Sequence, residues 1–194
     1  MRRSISTVMV TLGALCTPLS GDLRAQVTPR NAIGFGFAAT LGTEWQIEGG
    51  EVAYVHRRAG GLVGALSAGI RVGTFIDEGA ILGGSRGLVA AGTFAVRTGT
   101  ASLTQLGEEI DPTSIGFDVT LEGSGYIASN SPLEHGSQWG AVALLPGLRA
   151  GSGDGLRYGL VIGPTAFIGG GRTTVRGLLG FRLEAPLARR ERRP

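Results

Sequence analysis

After residue 30 the chain alternates apolar and polar positions with a period of two. Ile33, Phe35, Phe37, Ala39 and Leu41 fall on one side of an extended backbone, and Ala32, Gly34, Gly36, Ala38 and Thr40 fall on the other. Successive side chains of a strand point to opposite faces, so each such run predicts a strand with one greasy face. The split recurs where Leu62, Leu66, Ala68, Ile70 and Val72 oppose Ala65, Ser67, Gly69, Arg71 and Gly73. It recurs again where Leu88, Ala90, Phe94 and Val96 oppose Ala91, Thr93, Ala95 and Arg97. Residues 114–122 are the cleanest case, with Ile115, Phe117, Val119 and Leu121 set between Ser114, Gly116, Asp118, Thr120 and Glu122. Tyr158, Leu160 and Ile162 then oppose Arg157, Gly159 and Gly163, and Val175, Leu179, Phe181 and Leu183 oppose Arg176, Gly180, Arg182 and Glu184. Two stretches are less regular. Residues 45–57 change phase around Glu48-Gly49-Gly50-Glu51, where the glycine pair suggests a bulge, and residues 138–149 carry apolar groups on both faces together with Pro146.

No window sustains the 3.6-residue period of an amphipathic helix, and 35 glycines are spread at a density hostile to helices. Turn chemistry separates the runs at Arg58-Ala59-Gly60, Asp77 to Ser85, 151–155 and Gly169-Gly170-Gly171. The expectation is an all-β chain, a single antiparallel up-and-down transmembrane β-barrel of about eight strands, each roughly nine to twelve residues long, which suits a tilted membrane crossing. The alternation alone does not say which face is inside; the content of the polar face does. It is mostly Gly, Ala, Ser and Thr with an occasional ion, unlike a soluble exterior rich in long polar side chains, and it fits the narrow interior of an eight-stranded barrel. Trp45, Tyr54, Trp139 and Tyr158 lie near segment ends, where a girdle of amphipathic rings would mark the bilayer boundary.

Composition and charge narrow the class further. The mean hydropathy is +0.19, with 17% charged residues and a formal charge of +3, which excludes disorder and gives no clustered cations for nucleic acid. Arg2 and Arg3 precede an apolar run to Leu19, and Leu23-Arg24-Ala25 offers a small residue at a cleavage point, so residues 1–25 read as a secretory signal peptide. The run is too short and too rich in Thr for a transmembrane helix. The single cysteine, Cys16, lies in that leader, so a mature chain from Gln26 has neither disulfides nor thiolate ligands. Residues 26–184 form the expected barrel, and residues 185–194, with Arg189, Arg190, Arg192 and Arg193, form a basic C-terminal tail.

In strand count, alternation and leader the chain resembles the small outer-membrane β-barrel family of the OmpA/OmpX type. That resemblance covers about residues 30–184 and implies an up-and-down barrel, outer-membrane lipid and the outer-membrane assembly machinery as partners, and a cell outer-membrane location. The chain departs from the family in two respects. Phe181-Arg182-Leu183 is followed by eleven further residues instead of ending the chain, and 99–113 makes a long connection on the side of the termini.

The candidate chemistry sits on the polar face. Arg71, Arg97, Asp118, Glu122, Arg157, Arg176, Arg182 and Glu184 are expected to form a lumen charge network, because unpaired charges in a closed interior are very costly. The choice is between an ion-selecting pore and a plug of salt bridges, and eight strands favour the plug. His135-Gly136-Ser137-Gln138-Trp139-Gly140 resembles the His-x-Ser-Asn-x-Gly stretch of outer-membrane lipid A deacylases, which implies His135 as base and Ser137 as nucleophile. Gln138 departs from that motif, and no carboxylate follows until Asp154, so a polar loop is the simpler reading. His56 and His135 are far apart and give no metal site, and no cofactor motif is present. The expected function is therefore non-enzymatic, an outer-membrane barrel with a structural, adhesion or limited-permeation role. The alternatives are a soluble periplasmic barrel holding a small apolar ligand and, third, a lipid A deacylase-like hydrolase.

Overall fold

The structure, a computed structural model, describes residues 31–42, 45–58, 61–77, 85–106, 113–129, 137–151 and 155–187. The expected leader and most of the expected tail lie outside the described residues. Nine strands follow one another: β1 (Asn31–Leu41), β2 (Trp45–Arg57), β3 (Val63–Asp77), β4 (Ser85–Thr98), β5 (Ala101–Leu106), β6 (Thr113–Ala128), β7 (Gln138–Gly151), β8 (Arg157–Gly169) and β9 (Arg172–Pro186). Each pairs antiparallel with its neighbour in an all-β sheet, β9 pairs back onto β1, and β4 pairs with β6, so eight strands close a barrel. Closure leaves a stagger. Successive register partners run Ala32, Val55, Ser67, Ala95, Glu122, Ala143, Thr165 and Arg176, and the next residue, Gly177, stands opposite Leu41 at the far end of β1. A walk perpendicular to the strands that starts at one end of β1 thus returns at its other end, which is the signature of tilted strands.

The barrel has two ends. The hairpin end carries the β1–β2, β3–β4, β6–β7 and β8–β9 connections; the terminus end carries the rest, together with Asn31 and Leu187. At the β8–β9 hairpin Gly170 and Gly171 have φ of 56° and 75°, the two positive values a type I′ turn demands and glycine supplies. At the terminus end the long 99–113 connection turns out to contain β5. It continues the line of β4 past the rim and pairs with the first half of β6, while β4 pairs with the second half. At the seam the Val119 N–H donates to Thr98 Oγ1 at 3.0 Å. A side chain at Gly116 would come within 2.3 Å of Thr100 Cγ2, so the crossing strands need glycine there.

Two local expectations are corrected. The β2 register runs unbroken against both β1 and β3, so Gly49-Gly50 makes no bulge; the irregularities fall instead in β3–β4 and β5–β6. Hydropathy changes phase in β2 because Trp45, Ile47 and Val55 point inward along with Glu51, not because the backbone slips. The last strand also runs two residues past Glu184, to Pro186, and the Leu187 N–H donates to the Asn31 carbonyl at 2.8 Å.

The polarity of the wall is inverted relative to a water-soluble barrel. Arg71 is 3% exposed and its neighbour Ile70 is 64% exposed, and the same contrast repeats around the sheet. Phe35, Val52, Phe94, Leu121, Leu144, Leu160 and Phe181 point outward from seven different strands. Of the four aromatic residues expected in a girdle, Tyr54 and Tyr158 are outward, near the terminus end, but Trp45 and Trp139 are buried inside the barrel. That correction has a simple cause, since the inward parity of β2 and β7 includes residues 45 and 139, and the interior at the hairpin end is apolar.

Candidate functional site

The barrel interior divides into two chemically distinct halves. At the hairpin end β2, β3, β6, β7 and β8 each contribute one ring: Trp45, Phe75, Tyr126, Trp139 and Phe167. Trp45 stacks on Phe75 at 5.7 Å and meets Phe167 edge-on at 5.3 Å; Tyr126 stacks on Trp139 at 5.6 Å and touches Phe167 at 5.9 Å. Stacked and edge-to-face geometries satisfy the ring quadrupoles, and each ring removes a large apolar area from water. Ile47, Val89 and three alanines fill the gaps. Arg176 lays its guanidinium 4.8 Å from the centre of the Trp45 ring.

Toward the terminus end the interior becomes ionic, in two neighbouring clusters. In the first, Arg71 is the hub. Its Nε donates to Glu51 at 3.0 Å, its Nη2 to Glu122 at 2.8 Å, and its Nη1 to the Tyr126 hydroxyl at 3.0 Å, which ties the ions to the rings above. Arg182 donates to the other oxygen of Glu122, and Ser124 Oγ donates at 3.3 Å to the oxygen that Arg71 holds. In the second cluster a carboxylate is the hub. Glu184 accepts from Arg57 Nε at 3.1 Å, from Arg149 Nη1 at 2.8 Å and from Arg97 Nη1. Arg149 also donates to Asp118 at 2.6 Å, and Arg97 lies 3.7 Å from the same carboxylate. Arg157 stands opposite Glu184 in register and shares the field of these groups.

These bonds couple elements that no local pattern connects. Glu184 on β9 joins β2, β4 and β7, and Arg71 on β3 joins β2 and β6. Most of these charges are buried and need their partners, and a one-residue slip of a strand would turn its ions out of the interior and apolar side chains into it. The arrangement can hold strand register and fill the barrel.

Of the eight expected network residues, the structure brings Arg71, Arg97, Asp118, Glu122, Arg182 and Glu184 together through ion pairs, and Arg157 is placed beside them. Arg176 is elsewhere, on the aromatic half. Three participants escaped the sequence reading: Glu51, Arg57 and Arg149. Arg57 and Glu51 share the parity of Ala53 and Val55, and Arg149 shares that of Ala143 and Leu145, so counting parity through the untidy segments would have found them. Ser137 is an exposed residue just before β7, and its carbonyl accepts from the Ala128 N–H at 2.9 Å; His135 lies outside the described residues. Compared with protein-family models, curated proteins and solved structures, the chain matches none.

Proposed function

We propose that this chain is an outer-membrane β-barrel protein with a non-enzymatic role, a lipid-embedded wall and a plugged interior that serves membrane integrity or surface adhesion. The observation that carries this reading is the inverted polarity of the wall. Large apolar side chains face outward from every strand of the closed barrel, while arginines and carboxylates face inward. In water such a surface would be a large exposed apolar patch; in lipid it is the favourable one, and closure leaves no unpaired strand edge in hydrocarbon. Tyr54 and Tyr158, with the His56–Asn31 pair at 2.9 Å beside Tyr54, put amphipathic groups near the terminus-end boundary. The filled interior favours a plug over solute passage. It also gives no support to a soluble barrel holding a small apolar ligand.

The test is expression of the full chain in a Gram-negative host, followed by gel mobility of the outer-membrane fraction with and without boiling. The expected result is a heat-dependent shift in the membrane fraction, with single-cysteine variants at Phe35, Leu66 and Phe117 labelled by lipid-partitioning reagents. A soluble product whose cysteines react only with water-soluble reagents would overturn the proposal.

A further inference from the structure

Between β1, β2, β3 and the ionic clusters lies a cavity of about 20 Å³. Its wall includes the small residues Gly34, Gly36 and Ser67 and the polar residues Thr120, Arg97, Arg182, Glu51 and Glu184. Thr120 is 1% exposed, and its Oγ1 has no hydrogen-bond partner among the described residues. A buried hydroxyl left in that state costs free energy, and here it borders a space that can relieve it.

We propose that this cavity binds one water molecule, which satisfies Thr120 and joins the two ionic clusters into a single network. Size sets the class of ligand. A water needs roughly 10–15 Å³ of space and two to four polar partners, and this cavity offers both. Charge sets it too. The two guanidiniums and two carboxylates on the wall cancel, so a neutral molecule that both donates and accepts is matched better than an ion of either sign. The water can accept from a guanidinium or from Ser67 and donate to a carboxylate, and it can pair with Thr120 in either sense. Glu51 and Arg182 belong to the Arg71–Glu122 cluster, whereas Arg97 and Glu184 belong to the second. The site therefore lies on the seam between them.

The experiment uses the full mature chain folded in detergent micelles, so it reads the interior whatever covers the outer wall. Thr120→Val keeps the shape and removes the hydroxyl. With water bound, the variant loses a hydrogen bond and its unfolding midpoint falls by about 2–4 °C. With a dry cavity, Val removes an unsatisfied group and the midpoint stays or rises, which overturns the proposal. Wild-type protein is also read by water-to-amide magnetisation transfer at residues 67 and 120. A long-lived water signal there, kept in Thr120→Ser, supports the site, and its absence from the wild type overturns it even if Thr120→Val does not fold.

Discussion

At the hairpin end five aromatic rings close the barrel, and toward the terminus end arginines share four carboxylates, although the same strands with the same inward parity build both halves. The rings contribute by area and dispersion, which fall gradually as packing loosens. The ions differ in kind. A buried pair adds little over well-packed apolar groups, but removing one partner strands the other's charge, so the ionic half is directional and unforgiving. One half thus supplies bulk and sealing, and the other supplies a register that tolerates few alternatives.

The sharpest way to break that comparison is Glu184→Ala. It leaves Arg57, Arg97 and Arg149 without their shared acceptor and should lower stability by about 3–5 kcal/mol, read from the urea midpoint of the heat-shifted band. Removing one of the stranded cations should recover part of this loss, so a double variant that also carries Arg97→Met, and keeps the Arg149–Asp118 pair, should be more stable than the single one. Next comes Phe167→Ala in the aromatic half, where the lost ring leaves a cavity between Trp45 and Tyr126 at about 3 kcal/mol, measured the same way. Leu144→Arg tests the outer wall. In bilayers it should cost about 2 kcal/mol or more, near the middle of β7, and should reduce insertion, whereas a water-facing wall would accept it. The smallest effect is expected for Arg176→Gln, which takes the cation off the Trp45 ring, at about 0.5–1 kcal/mol.

Much of the architecture was legible because period two is a local property. The inward set on β6, from Gly116 to Glu122, could be read from adjacent residues alone, and so could those of β1, β4 and β9. Reading failed where inward residues were themselves apolar. Trp45 and Trp139 looked like boundary aromatics because position near a strand end does not distinguish inside from outside. Arg149 was hidden by Ala143, Leu145 and Pro146. β5 was taken as part of a connection because Ala101-Ser102-Leu103 is a short, uncharged run whose pairing depends on the distant first half of β6.

The sequence by itself determined an all-β chain, the two faces of most strands and the ionic character of one of them, since each follows from neighbours two residues apart. Only the tertiary structure decided which ions share a carboxylate and which end receives the rings. Arg57 and Glu184 are 127 residues apart in the chain and Arg97 and Glu184 are 87 apart. Their meeting depends on the stagger with which eight strands close, a quantity summed over every register in the barrel and written in no single segment.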